Sequence, residues 1–293
     1  MQGPAEAFDP LRPTLIRIAY RMLGSVADAE DIVQETFLRW MATDRTTVRQ
    51  PEAFLRQIVT RLCINHLKSA RRRRDMYIGP WLPEPMVEAP AEDIDDITLP
   101  LMMALDRLSP LERAAFLLHD VFGVSFEEIG EIIKREPAAC RQLATRARLH
   151  VRQSRPRFRV DKDRALELAQ AFFTASRRGD LAALRAMLAD DVSIYVDGGG
   201  RRRAPSQPVH GAIHVIKLHK GLAMHYAEHG STLMQVGFVN GLPGLVTKEG
   251  DGELQSTALA IEDAKIAAIY VVRNPEKLLH LQGSALGGTA RAV

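Results

Sequence analysis

The chain has 293 residues, of which 46% are hydrophobic and 26% are charged, and its formal net charge is +3. This is ordinary globular composition, and the length allows two or three modest domains. We expect neither a signal peptide nor a membrane span, because no apolar run is long enough to cross a bilayer.

Charge is patterned along the chain rather than spread evenly. Residues 61–74 carry basic side chains and no acid, and residues 134–159 are basic with Glu136 as their one acid. Residues 84–96 carry acids and no base. Such blocks indicate surfaces with different partners.

The two cysteines, Cys63 and Cys140, both fall on apolar helix faces. That placement favours reduced, buried thiols over a disulfide or a metal site. We therefore expect a cytoplasmic protein with no metal and no cofactor.

Residues 8–41 are predicted to be helical, with Ser25 as a candidate N-cap of the second helix. The spacing of apolar residues in that helix predicts a buried stripe of Ile32, Val33, Thr36, Phe37 and Trp40. The opposite face is mostly acidic and polar, and it includes Asp31, Gln34, Glu35 and Arg39. Without further context, a solvated amphipathic helix would explain this face.

A long helix is predicted from Pro51 to Arg74, PEAFLRQIVTRLCINHLKSARRRR. One side is apolar, and the other side and the C-terminal end are polar and basic. The polar and basic candidates near that end are Asn65, His66, Lys68, Arg71, Arg72, Arg73 and Arg74. The helix dipole favours some basic residues there, but four consecutive arginines exceed what a cap needs and suggest phosphate contact.

Residues 77–100 are rich in proline and acids, which predicts a linker rather than a helix. Trp81 in this linker is expected to pack against a neighbouring element.

Residues 109–153 read as three helices. Ser109 with Glu112 and Ser125 with Glu128 each predict a capping box, and the third helix opens at Pro137. The exposed face of the third helix carries Arg141, Gln142, Thr145, Arg146 and Arg148. The pattern predicts a DNA-binding helix-turn-helix, with a plain three-helix bundle as the alternative.

The remainder, 161–293, changes character. Two helices split at Gly179-Asp180 precede a strand, a helix over residues 212–229 and four further strand candidates with a turn at Asn240-Gly241. Helices followed by a sheet suggest an α+β domain.

Residues 8–153 resemble a bacterial sigma factor of the extracytoplasmic-function (ECF) type. GSVADAEDIVQETFLRW resembles the core-polymerase-binding helix of that family, and residues 51–74 resemble its promoter −10 helix. LSPLERAAFLLHDVFGVSFEEIGEII and the basic helix after it resemble its −35 helix-turn-helix.

The C-terminal part resembles a SnoaL-like fold, a curved sheet wrapped on helices. Three short motifs, WLPEP, DGGGR and NPEKL, resemble signatures of the ECF group that carries this extension. They comprise Trp81, Leu82, Pro83, Glu84, Pro85, Asp197, Gly198, Gly199, Gly200, Arg201, Asn274, Pro275, Glu276, Lys277 and Leu278. The family's glycine motif usually ends in Lys, so Arg201 keeps the charge but changes the contact geometry.

The resemblance implies all-α sigma domains followed by an α+β SnoaL-like cone domain. The expected boundaries are a region 2-like domain at 1–76, an acidic linker at 77–100, a region 4-like helix-turn-helix at 101–157, a regulatory domain at 161–282 and a tail at 283–293.

The resemblance also implies an alternative sigma factor, not an enzyme, whose partners are core RNA polymerase and promoter DNA. The acidic-polar helix face from Asp31 to Arg39 would meet the coiled coil of the largest polymerase subunit. Asn65, His66, Lys68 and the four arginines 71–74 would meet the −10 element. In the −35 helix, Arg141 and Gln142 would read base edges, while later arginines would touch phosphates.

The C-terminal domain is expected to regulate activity in cis, by contacts with the sigma domains and the linker through the three motifs. One concrete version places Arg201–Arg203 opposite the acidic stretch 84–96. Two alternatives stay open: a ligand-sensing helix-turn-helix regulator, and an enzyme activity in the C-terminal domain that uses Asp197. A small-molecule ligand of that domain also stays open.

Overall fold

The computed structural model describes residues 4–74, 77–88, 98–152 and 161–284. These residues form two compact units. The first contains the residues up to 74 together with 101–152, and the second contains 77–88, 98–100 and 161–284.

All regular secondary structure among the described residues of the first unit is helical. Its helices are α1 Pro4–Phe8, α2 Arg12–Leu23, α3 Val26–Ala42, α4 Pro51–Arg74, α5 Leu99–Asp106 (whose first two residues belong to the second unit), α6 Pro110–Phe116, α7 Phe126–Ile133 and α8 Pro137–Val151. One π-helical turn, Leu117–Val121, continues α6. The buried core includes the large side chains of Tyr20, Trp40 and Phe116.

Helix ends follow local chemistry. Ser25 accepts a hydrogen bond from the backbone of Asp28, and Ser109 forms a complete capping box with Glu112. Ser125 caps α7 in the same way, but the carboxylate of Glu128 does not reach back to it and instead binds Arg56. The second predicted capping box is therefore only half formed.

The second unit is an α+β domain. Its remaining elements are β1 Val87–Glu88, α9 Lys162–Arg178, α10 Leu181–Met187, β2 Leu188–Asp197, β3 Val209–His210, α11 Ala212–His229, β4 Ser231–Val239, β5 Leu242–Glu249, β6 Leu254–Glu262, β7 Lys265–Val272 and α12 Leu279–Ser284. The expected order of helical domains followed by an α+β domain is confirmed.

Among the described residues, the strands form one sheet in the order β1-β4-β5-β6-β7-β2-β3. Neighbouring strands are antiparallel except β2 and β7, which run parallel. Helices α9 and α11 pack on one face, where Phe172 and Val215 meet sheet residues such as Leu259 and Ile269. Alternation along each strand places these apolar side chains on the face toward the helices.

Two hairpins close with two-residue turns in which both central residues have positive φ, the arrangement of a type I′ turn. They are Asn240-Gly241 between β4 and β5, and Asp263-Ala264 between β6 and β7. The first of these turns was predicted from its Asn-Gly sequence.

The predicted linker, 77–100, contributes a short strand to the sheet. Val87 and Glu88 form β1, which pairs with Val239 and Phe238 at the edge of the sheet. The linker therefore adds a strand to the C-terminal domain.

Within the described residues, no helix is both long and apolar enough to cross a bilayer.

Candidate functional sites

The acidic-polar face of α3 is exposed. Asp31, Gln34 and Arg39 lie in solvent, and Glu35 is half-buried in an ion pair of 2.9 Å with Arg39. Two apolar side chains, Leu38 and Met41, are also exposed on this helix. A charged helix face that includes exposed apolar side chains is suited to a protein partner.

The polar end of α4 lies partly within the described residues. Asn65 and Lys68 are exposed, and His66 Nε2 lies 3.5 Å from the carboxylate of Asp28. The helix backbone extends to Arg74, but the side chains predicted to contact phosphate, those of Arg71–Arg74, lie outside the described residues.

Two other arginines of α4 bind the helix-turn-helix. The sequence did not indicate this contact. Arg56 forms an ion pair of 2.9 Å with Glu128, on the first turn of α7. Arg61 donates from Nε to the carbonyl oxygen of Ile132 and from Nη2 to that of Glu131, both at 2.9 Å. These bonds satisfy carbonyl groups at the C-terminal end of α7, so α4 holds both ends of that helix.

A third arginine connects α6 to α2. Arg113 is 4% exposed and donates to the carbonyl oxygen of Met22 at 2.6 Å and to Asp106 at 3.0 Å. Burial lowers the pKa of Arg113 to about 10, which still leaves it charged at neutral pH. The region 2-like and region 4-like helices therefore share buried polar contacts within one unit.

The face of α8 that was predicted to contact the −35 element is exposed, as expected. Arg141, Gln142, Thr145 and Arg146 are exposed, and Arg148 is half-buried. Three of these side chains bind acids on neighbouring helices: Arg141 to Glu127, Arg146 to Glu112 and Arg148 to Asp120, at 3.2, 2.9 and 2.8 Å. The acids hold the guanidinium groups in place on the surface, and DNA phosphates would compete with them for these groups.

In the second unit, Asp197 at the end of β2 binds the linker. Its side chain is completely buried. One carboxylate oxygen accepts from Tyr77 Oη at 2.5 Å, and the other accepts from the backbone N–H of Leu82 at 2.8 Å and from Lys277 Nζ at 2.7 Å. Burial and the bond to Asp197 raise the pKa of Tyr77, which keeps its hydroxyl protonated as the donor. One residue of each signature motif therefore meets at this carboxylate.

Lys277 completes this anchor from the other side. Its ammonium group, also buried, donates to the carbonyl oxygen of Leu82 at 2.5 Å. It also lies over the rings of Trp81 and Tyr77, 4.3 and 4.9 Å from their centroids. Aromatic faces and a carboxylate together compensate a cation that has left water.

The three consecutive glycines of DGGGR have a steric cause. Gly199 and Gly200 have positive φ, and a Cβ atom on Gly199 would lie 2.3 Å from Asn274 Nδ2. A Cβ on Gly200 would lie 2.9 Å from Ile78 Cδ1. The glycines let the turn pass directly beneath the linker and the NPEKL segment, so they serve close packing rather than phosphate binding.

The pairing of Arg201–Arg203 with the acidic stretch 84–96 stays a prediction, and the described partners of Arg201 and Arg202 are acids of the C-terminal domain. Arg201 pairs with Glu276 at 2.9 Å, and Arg202 pairs with Asp251 and Glu253 at 2.7 and 2.9 Å. Both are therefore engaged within the C-terminal domain. The side chains of the acidic stretch 88–97 lie outside the described residues.

The interior of the C-terminal domain contains one buried histidine. His219 is 4% exposed, packs edge-on against Phe172, and has no hydrogen-bond partner for either ring nitrogen among the described residues. Burial, with the nearby charge of Arg177 as a smaller cause, lowers the pKa of His219 to about 4. No cluster of metal-binding side chains occurs in the part of the chain that the structure describes.

Comparison with known proteins places these features in one family. Residues 7–73 match Sigma-70 region 2, and residues 98–151 match Sigma-70 region 4. The ECF RNA polymerase sigma factor SigJ of Mycobacterium tuberculosis is 36% identical over 286 residues, which cover 92% of this chain and 91% of SigJ. The probable ECF sigma factor SigI of the same species is 32% identical and covers 94% and 95% of the two chains.

The structural comparison agrees. The crystal structure of M. tuberculosis SigJ superposes with a TM-score of 0.74 at 32% identity, and it covers 93% of this chain and 97% of that one. A chain with both sigma regions and a full-length likeness of this kind is a transcription initiation factor. It belongs to the ECF RNA polymerase sigma factors, as predicted, and its fold is that of helical sigma domains followed by a SnoaL-like domain.

Proposed function

We propose that the C-terminal domain controls this sigma factor in cis by holding the linker between its two promoter-binding regions. The observation that carries this proposal is the buried carboxylate of Asp197, which binds Tyr77 and the backbone of Leu82. A buried carboxylate with three or more donors is a strong, specific anchor, because each donor would lose a charge-assisted hydrogen bond on release.

The distance between the two promoter elements explains why an anchored linker would matter. The −10 and −35 elements are separated by about 25 base pairs, or ~85 Å of B-form DNA at 3.4 Å per base pair. In the described arrangement, Arg56 of the −10 helix touches Glu128 of the helix-turn-helix. The two regions must therefore separate before one molecule can occupy both elements.

The length of free linker limits that separation. About 25 residues connect Arg74 to Leu99, and fully extended they span ~85 Å. When residues 77–88 are docked on the C-terminal domain, they can no longer extend, and the distance between their two ends is fixed. We infer that the docked linker favours the closed state and that release of the linker permits promoter engagement.

The surface assignments complete the proposal. The α3 face with Asp31 and Glu35 binds core polymerase, where charge complementarity sets orientation and association rate. The end of α4, with Asn65 and Lys68, contacts the −10 element, and the exposed face of α8 contacts the −35 element. We further propose that the protein acts in the cytoplasm, where it meets core polymerase and DNA.

We propose that the C-terminal domain is not catalytic. The enzyme alternative relied on Asp197, but both oxygens of this carboxylate are already bound by linker and domain donors. A general base needs a free lone pair directed at its substrate. The alternative of a ligand-sensing helix-turn-helix regulator is not favoured, because it leaves residues 7–73 and their match to region 2 without a role.

The test is promoter-directed transcription with core enzyme, comparing the full chain with a chain that ends after Arg159. Removal of the domain that holds the linker should raise transcription several-fold at limiting core enzyme, and solution scattering should show the sigma regions further apart. Unchanged transcription together with an unchanged solution shape of the sigma regions would contradict control in cis.

A further inference from the structure

We propose that Asn240, in the turn between β4 and β5, is a positioning residue that closes the second half of the linker into a loop. This inference rests on the proposed function, since it adds a second anchor to the one at Asp197. The sequence explains Asn240 simply as the first residue of an Asn-Gly turn. The structure shows four hydrogen bonds from this residue to the linker.

Two of these bonds come from the side chain. Asn240 Oδ1 accepts from the backbone N–H of Met86 at 2.8 Å, and Nδ2 donates to the carbonyl oxygen of Glu84 at 3.2 Å. The other two come from the backbone: Asn240 N donates to Met86 O at 2.9 Å, and Asn240 O accepts from Leu99 N at 2.9 Å. The residue is completely buried, which is unusual for the tip of a hairpin.

The positions of the partners determine the consequence. Met86 precedes the acidic part of the linker, and Leu99 begins α5, the first helix of the region 4 match. One residue therefore holds the chain on both sides of residues 87–98. Because both ends of this segment are held at one residue, the segment cannot lengthen the connection between the two promoter-binding regions.

The two anchors thus act on different stretches. Asp197 and Lys277 bind Tyr77 and Leu82. Asn240 binds Glu84, Met86 and Leu99. With both anchors closed, almost none of the linker remains to separate the two promoter-binding regions. Release of the Asn240 anchor alone would make the second half of the linker available to separate the two regions.

The second hairpin supplies a matched control. Asp263 occupies the first position of the other type I′ turn, with the same φ of 48° as Asn240, but its side chain is exposed. Glycine accepts this backbone conformation readily, so Asn240→Gly and Asp263→Gly both preserve their hairpins. Only Asn240→Gly removes two bonds to the linker.

The experiment is hydrogen exchange of the full-length protein, followed by mass spectrometry of the peptides that cover residues 83–88 and 98–103. In Asn240→Gly, exchange in the 83–88 peptide should accelerate about tenfold or more, while Asp263→Gly should match the wild type. The 98–103 peptide should change less, because Leu99 binds the backbone oxygen of residue 240, which glycine keeps. Asn240→Asp should lie between the wild type and Asn240→Gly, because a carboxylate oxygen can still accept from Met86 N–H but cannot donate to Glu84 O. Exchange that is unchanged in Asn240→Gly, or equally raised in Asp263→Gly, would overturn the anchor.

Transcription measured on the same samples keeps the two proposals separate. Accelerated exchange supports the Asn240 anchor whatever the transcription result. If transcription then stays at the wild-type level, the anchor stands and control in cis does not act through this half of the linker. The two proposals therefore fail by different readouts.

Discussion

Arg61 Nε, on the −10 helix α4, donates a 2.9 Å hydrogen bond to the carbonyl oxygen of Ile132, at the end of α7 in the helix-turn-helix. The same guanidinium reaches the carbonyl oxygen of Glu131. An arginine of the −10 helix thus caps a helix of the helix-turn-helix. In the described arrangement, the −10 helix and the helix-turn-helix are therefore in direct contact.

Loss of this cap should loosen α7. Arg61→Ala removes two charge-assisted hydrogen bonds, each worth about 1.5–3 kcal/mol when buried and less when solvated, as here. We expect amide exchange over residues 126–133 to accelerate by about tenfold. Lys68→Ala is the control, because Lys68 is an exposed cation of the same helix. Equal exchange in the two variants would show that the Arg61 contact does not stabilise α7.

The arginines of α8 should separate into base readers and phosphate binders. Arg141→Ala, near the helix start, should cost about 1–3 kcal/mol on a preferred promoter and relax base preference at one position. Arg148→Ala should weaken binding to all promoters alike and reduce the salt slope by about one. Binding measured over a promoter panel at several salt concentrations checks this. Equal losses on every promoter from both substitutions would remove the distinction.

The α3 face should set the rate of core-enzyme binding. Asp31→Lys reverses one exposed charge and should slow association with core polymerase by about tenfold at low salt, with the difference shrinking as salt rises. Glu167→Lys makes the same charge change on the exposed face of α9 and should leave the rate unchanged. Stopped-flow association measures both, and an equal effect of the two variants would assign the change to net charge alone.

The buried His219 should make the C-terminal domain less stable in acid. Its folded-state pKa of about 4 lies below the ordinary 6.5, so between these values the unfolded chain binds a proton that the folded chain does not. Stability is therefore complete above about pH 6.5 and falls as the pH drops, by on the order of 2 kcal/mol at pH 5.

His219→Leu removes the titrating group and keeps an apolar contact for Phe172. Its melting temperature should fall less between pH 7 and pH 5 than that of the wild type. A wild type and a variant with parallel pH profiles would show that His219 is not the group responsible.

Local sequence chemistry was sufficient to predict much of the fold. Ser25 and Ser109 mark helix starts because each needs only a hydroxyl and a backbone amide a few residues away. The Asn240-Gly241 turn follows from the positive φ that these residues tolerate. The exposed faces of α3 and α8 follow from apolar spacing alone.

The anchors depend on contacts that no local pattern reports. Tyr77, Asp197 and Lys277 are far apart in sequence, and nothing near any of them identifies the other two. The motif resemblance indicated that Asp197 and Lys277 matter, but it did not point to Tyr77 or to Asp197 as the shared acceptor. Arg61 and Asn240 were missed for the same reason: a basic helix face and a hairpin turn each had a sufficient local explanation.

The measurement that tests control in cis most directly is transcription by the full-length Asp197→Asn variant at limiting core enzyme. The substitution leaves the buried ammonium of Lys277 without its counter-charge, which costs about 3–5 kcal/mol and shifts the linker toward release. Trp81 fluorescence in a Trp40→Phe background reports that release, since Trp40 and Trp81 are the chain's two tryptophans. Asp190→Asn, at an exposed position in the same strand, is the control.

We predict that Asp197→Asn changes Trp81 emission and raises promoter-directed transcription several-fold over both the wild type and Asp190→Asn. A released linker with transcription equal to or below that of the wild type would contradict the account.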